Sequence, residues 1–214
     1  MNSKNWEFLK PIVQPDKANV FLQRFEKIAF RAKNKERFCL SKQNGWVAVP
    51  VESADHFSES EEERLLSVTQ KNGYEKLIAI LFEDLKNFPP VSTIPTTAEG
   101  IAELNWEFSH FWLALFAGEP DWVIIGTKSN YFIVAGSPDF VRDFLGCEIN
   151  DAFSEFYEFL LDYLDSSDPL GEYLLSVYND LRTIYPQLES GSILCVGESN
   201  VVAIPNSSPA SIPI

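Results

Sequence analysis

Residues 121–146 read DWVIIGTKSNYFIVAGSPDFVRDFLG. Two β-prone runs, 122–126 and 131–135, flank a polar turn, which is the pattern of a hairpin. Both runs are apolar on successive residues, whereas a strand with one wet face alternates. They are therefore expected at the centre of a sheet covered on both sides. Directly afterwards Ser137 is placed to cap a helix, Pro138 to be its first residue and Gly146 to stop it.

Downstream, AFSEFYEFLLDYLD begins at Ala152. At helical spacing Phe153, Phe156, Tyr157, Leu160 and Leu164 share one side, and Glu155, Glu158, Asp162 and Asp165 the other. Asp168-Pro169 then opens a helix carrying Leu170, Tyr173, Leu174, Val177, Tyr178, Leu181 and Ile184. SILCVG and NVVAI are expected as a last hairpin, and residues 206–214 as a flexible tail.

Upstream, residues 16–33 carry Ala18, Phe21, Leu22, Phe25, Ile28, Ala29 and Ala32 at the period of a helix. Asp16 is the expected cap, with Arg24, Lys27 and Arg31 on the outer face. RFCLSKQNGWVAVPV predicts a hairpin about Asn44-Gly45. Ser58 with Glu61 forms a capping box for a helix to Lys71, stopped by Asn72-Gly73. Residues 76–82 are a continuous apolar run, expected as a buried strand. FPPVSTIP (88–95) reads as a loop and the best place for a two-lobe division. Thr96 with Glu99 predicts another capping box, and the next helix is expected to reach Ala117 with Ile101, Leu104, Phe108, Phe111, Trp112 and Leu115 on its apolar face.

Hairpins interspersed with helices, and few βαβ units, predict an α+β fold: a mixed, largely antiparallel sheet built from hairpins with helices packed against it. Residues 1–205 are expected to form one domain. Each half starts α-β-β-α, which a divergent internal duplication would explain, though no matching residues accompany it.

The chain has 214 residues, 45% of them hydrophobic, enough for a substantial core without disulfides or metals. Cys39, Cys147 and Cys195 are far apart and odd in number, so buried free thiols are expected. The N-terminus resembles no export signal and no run of 18 apolar residues exists, which points to a cytoplasmic protein without a membrane span. Formal charge is −14 but uneven. Residues 1–50 hold ten Lys/Arg against four acids, a net of +6, leaving −20 for the rest. That balance argues against direct nucleic-acid binding, since the acidic bulk would repel a polyanion.

Catalytic patterns fail on inspection. Glu107 and His110 form one E-x-x-H pair, but a di-iron bundle needs two, and His56 in SADHF lacks the matching glutamate. A polar edge made of Glu103, Glu107 and His110 is the simpler reading. Gly197-Glu198-Ser199 resembles a nucleophile elbow, except that Val201 replaces the second glycine. IIGTKSN has Thr127 where a phosphate-binding loop has glycine. The lone arginines Arg37, Arg142 and Arg182 read as surface residues. No pattern calls for a cofactor or a metal, and the chain reads as a non-enzymatic binding protein.

Two candidate sites remain. The carboxylates Glu155, Glu158, Asp162 and Asp165 would suit recognition of a basic protein, as in an inhibitor or immunity-type protein. They would equally suit self-association with Arg24, Lys27 and Arg31. The alternative is a ligand pocket near Trp106, His110 and Trp112, serving a small-molecule-binding regulatory domain or an enzyme with a non-local site.

Overall fold

In a computed structural model the opening stretch forms the hairpin expected of it. The structure describes residues 6–31, 38–54, 56–83, 89–166 and 169–185. Strand β8 (Trp122–Gly126) pairs antiparallel with β9 (Tyr131–Gly136), Trp122 opposite Gly136 and Gly126 opposite Phe132. The turn is locked by Thr127, whose hydroxyl donates to the Tyr131 carbonyl at 2.5 Å and accepts from the Ser129 N–H at 3.2 Å.

Around it the described chain runs β1 (Lys10–Pro11), α1 (Pro15–Glu26), β2 (Ala29–Arg31), β3 (Phe38–Leu40), β4 (Val47–Glu52), α2 (Glu59–Lys71), β5 (Lys76–Leu81), β6 (Val91–Pro95), α3 (Ala98–Phe108), β7 (Leu113–Phe116), then β8, β9, α4 (Pro138–Leu145), α5 (Ile149–Asp165) and α6 (Pro169–Ile184). Seven strands form one sheet in the order β1-β6-β5-β7-β8-β9-β4, and β2-β3 form a second, all pairings being antiparallel. The protein is α+β, with helices packed on an antiparallel sheet.

Side-chain alternation sends Phe132 and Tyr131 to opposite faces. Phe132 meets Phe144 of α4 and Phe57 edge-on, and on the same face Trp122 stacks on Phe140 with centroids 4.7 Å apart. Tyr131 meets Phe156 of α5 and Tyr173 of α6. Both faces of the hairpin are therefore covered, as its unbroken apolar runs require. Each such fully buried side chain contributes about 1.5–3 kcal/mol of hydrophobic free energy.

The caps of α2 and α4 follow the sequence. Ser58 and Glu61 make the reciprocal capping box, Gly73 takes a positive φ of 73°, Ser137 accepts from the Phe140 N–H and Gly146 closes α4 with φ 72°. Elsewhere tertiary pairing overrides local pattern. The first helix stops at Glu26 instead of continuing to residue 33, because Ala29, Phe30 and Arg31 pair with Leu40, Cys39 and Phe38. Its cap is Gln14, two residues before Asp16, since Pro15 fits the first helical position. Asn44-Gly45 does turn, Gly45 having φ 76°, but the runs beside it belong to different sheets. β4 zips along the outer edge of β9 from Val47 opposite Gly136 to Glu52 opposite Tyr131.

Residues 91–95 are a strand and not a loop, with Pro95 at the strand end where it is tolerated. The cap of α3 is Thr97, accepting from the Gly100 N–H, while Thr96 donates its hydroxyl to the Tyr74 carbonyl at 2.6 Å. That helix ends at Phe108 rather than Ala117: Leu113–Phe116 is β7, buried between β5 and β8. A short apolar run cannot declare helix or strand by periodicity alone. α1 and α3 are each followed by three strands, not two, and the pairings of those strands differ between the halves. The expected last hairpin, Cys195, Gly197-Glu198-Ser199, the Asp168 start signal, Arg37 and the tail lie outside the described residues.

Candidate functional site

Helix α5 begins at Ile149, three residues before the expected start, with Glu148 as its N-cap. Ala152, Phe153, Phe156 and Leu160 are buried against the sheet edge and α6. Glu155, Glu158, Asp162 and Asp165 are all exposed, as the spacing requires, and the earlier start adds Asp151 to the same stripe. Five carboxylates at steps of four, three, four and three run for about 21 Å at ~1.5 Å per residue. The helix carries no Lys or Arg, and among the described residues none of the five forms an ion pair.

Two local rules are broken here. Four like-charged neighbour pairs oppose the helix by about 0.2–0.5 kcal/mol each. Asp162 and Asp165 also sit in the last turn, against the negative end of the helix dipole. The field is felt nearby: burial first, then Glu155, Asp151 and Glu148, push the Cys147 thiol pKa up against the opposing charge of Arg64. Beside the stripe two apolar side chains face outward. Tyr157 is 41% exposed and Leu161 38% exposed, although Tyr157 was expected on the buried side. It packs instead on Tyr178 of α6 with centroids 5.4 Å apart.

Among the described residues no ion pair joins this stripe to a basic residue of the N-terminal half. Arg24 pairs with Glu119 at 2.9 Å and donates to the Gly118 carbonyl at 3.1 Å. Lys27 caps α1 and Arg31 lies in β2, so the three do not share one helix face. Of the other arginines, Arg142 pairs with Asp139, and Arg182 donates to the Tyr178 hydroxyl at 2.9 Å.

The second candidate is a groove of about 800 Å³ between α3, the start of α2 and the segment leading to it. Trp106 and His110 line it, as does His56, so both histidines of the chain meet there. Trp106 is 78% exposed. Trp112 does not belong to the groove: it is buried, and its backbone N–H donates to the Glu83 carboxylate at 3.0 and 3.1 Å. Asn105 holds the groove together. Its side-chain oxygen accepts from the Phe57 N–H at 2.8 Å, and its amide donates to the Phe57 carbonyl at 2.8 Å and to Glu62. A small cavity of about 40 Å³ shares Phe57 and Asn105 with the groove and is lined also by Leu104, Phe108 and Phe132.

No protein-family model, curated protein or solved structure matches this chain.

The E-x-x-H pair is not a ligand pair on one helix face. His110 lies beyond the end of α3 at φ 71°, a left-handed conformation that costs energy in a non-glycine residue. The polar edge instead straps the N-terminal segment. Glu103 accepts the backbone N–H groups of Glu7, Phe8 and Leu9 at 2.8, 2.5 and 2.9 Å, and Glu107 accepts from the Trp6 indole at 3.1 Å. Burial alone would raise the Glu103 pKa, but those N–H groups and the Lys10 charge outweigh it and hold the carboxyl below its ordinary value.

Among the described residues no group of three His, Cys, Asp or Glu is placed to hold a metal, and no helix is long and apolar enough to cross a membrane. Cys39 and Cys147 are free thiols, half-buried rather than fully buried. Sequence reasoning missed a third cavity, about 210 Å³, lined by Arg64, Cys147 and residues of β4, α2, α4 and α5. No local motif signals it, because its walls come from five elements separated in the chain, Phe132 of β9 among them.

Proposed function

We propose that this chain is a non-enzymatic recognition protein whose α5 face binds a cationic protein surface. The observation that carries this reading is the carboxylate stripe from Asp151 to Asp165, without an ion pair among the described residues, built against helix electrostatics and flanked by exposed Tyr157 and Leu161. Departures from local rules are expected where function demands them. Exposed tyrosine beside polar and charged groups is also found at recognition surfaces. Opposed charge would steer a basic partner and raise its association rate, and the apolar pair would slow its departure. An inhibitor that covers the phosphate-binding face of a nucleic-acid enzyme is the concrete case.

The test is a paired pull-down from native lysate with the wild-type protein and the Glu155→Lys/Glu158→Lys/Asp162→Lys variant as baits. A basic protein held by wild type at low salt, shed at high salt and lost with the variant supports the reading. Equal retention by both baits, or none by either, defeats it.

A second reading rests on Trp106. A tryptophan 78% exposed above a groove of about 800 Å³ is the kind of anchor that ligand sites and interface hot spots use. Under that reading the groove, with His56, His110, Glu59 and Glu62, takes a small molecule or peptide.

A further inference from the structure

The 210 Å³ cavity beside α5 shares Glu155 with the first reading and no residue with the second, and its charge pattern as a whole enters neither. Arg64 projects from α2 into its lining. A Cβ on Gly146 would lie 3.1 Å from Arg64 Cδ, so the bare αL glycine closing α4 gives the arginine stem its place. The Arg64 Nε is buried with no hydrogen-bond partner. Leaving such a donor unmet costs about 1–3 kcal/mol. Glu52, Glu61 and Glu155 line the same space, yet among the described residues none pairs with Arg64. Glu61 is already engaged, its carboxylate accepting from the Ser58 N–H and hydroxyl at 2.7 Å each. Glu52 and Glu155 remain. The other walls include Phe132, Phe144 and Phe156.

A simple anion would meet Arg64 but also two free carboxylates. A simple cation would meet the carboxylates but also the guanidinium. A ligand bearing both charges at short range satisfies both, and an apolar group on it satisfies the aromatic walls. The volume far exceeds the 10–15 Å³ or so that one water needs. We propose that this cavity binds a free α-amino acid with an apolar side chain, its carboxylate on Arg64, its ammonium on Glu52 and Glu155, and its side chain against Phe132, Phe144 and Phe156.

Arginine suits the carboxylate because its planar donors grip both oxygens. Glu155 belongs to the acidic stripe as well as to this cavity. An occupied cavity therefore lowers the charge of the proposed recognition face at one end. The inference does not depend on that face being used.

The experiment is thermal unfolding of the full chain with L-leucine, L-methionine or L-phenylalanine, each beside its N-acetyl and its amide derivative. Binding to the folded state raises the midpoint with ligand concentration. The free amino acid is expected to raise it, and each derivative, lacking one charge, to bind roughly tenfold more weakly. The free amino acid should also slow alkylation of Cys147, read by mass spectrometry of its peptide. Arg64→Met should abolish the shift, and Glu155→Gln should weaken it. The proposal is overturned if no amino acid raises the midpoint, if the derivatives act as well as the free forms, or if the shift survives in Arg64→Met. Should Arg64→Met fail to fold, the derivative series on the wild-type protein decides alone.

Discussion

Reversing one charge in the middle of α5 should make the protein more stable. Glu158 has a like-charged neighbour on each side, Glu155 three residues before and Asp162 four residues after. Each contact opposes the helix by about 0.2–0.5 kcal/mol, and an opposite-charge pair at the same spacing supports it by a similar amount. Glu158→Lys converts two repulsions into two attractions, a gain of roughly 0.8–2 kcal/mol. The side chain is exposed and its removal opens no cavity. For a chain of this size that corresponds to a rise in melting midpoint of about 2–8 °C. Urea unfolding at low ionic strength measures the gain directly. The same measurement near 1 M salt, where the Debye length falls to about 3 Å, should shrink it towards zero. A destabilised Glu158→Lys variant would mean that the stripe is already paired inside the molecule. The recognition reading would then lose its basis.

Gly136→Ala should destabilise by about 1–3 kcal/mol, because the new Cβ would meet Trp122 Cβ at 2.8 Å and the Asp121 carbonyl at 3.2 Å inside the central hairpin; an unchanged urea midpoint contradicts that packing. Glu103→Gln should loosen residues 7–9, seen as faster amide exchange there and nowhere in the sheet centre. Because the Glu103 pKa is lowered by folding, its carboxylate contributes stability above the ordinary carboxylate pKa that is lost as pH falls through the lowered folded value, so the acid limb of the stability profile should flatten in the variant. Trp106→Ala should leave the unfolding free energy measured in urea within about 0.5 kcal/mol of wild type, since the indole is 78% exposed, and a larger loss would show that Trp106 supports the fold rather than serving the groove.

The sequence disclosed the fold wherever one local signal sufficed. The β8-β9 hairpin, the Ser58-Glu61 box and the Ser137 to Gly146 helix each depend on residues within a few positions of one another. It misled where a partner distant in the chain decides. Leu113–Phe116 continues the helical spacing of α3, yet a gap between β5 and β8 claims it as a strand. The Asn44-Gly45 turn was legible, but not that β4 would leave it for β9, more than eighty residues later. The same division runs through the sites. The α5 stripe lies on one helix and was readable from spacing alone, short of Asp151. The groove was half readable: Trp106 and His110 reach it, Trp112 is buried next to the start of β7, and His56 arrives from another segment. The Arg64 cavity was not readable, since its lining comes from β4, α2, α4, α5 and β9.

Carboxylate footprinting tests the central claim most directly. The protein is labelled with a carbodiimide and an amine, free and in complex with the basic partner that the paired pull-down retains. Modification is then read residue by residue by mass spectrometry. Binding through α5 requires that Glu155, Glu158, Asp162 and Asp165 lose most of their labelling in the complex while Glu59 and Glu62 keep theirs. Unchanged labelling along α5, with protection at Glu59 and Glu62 beside Trp106, would contradict it and move recognition to the groove.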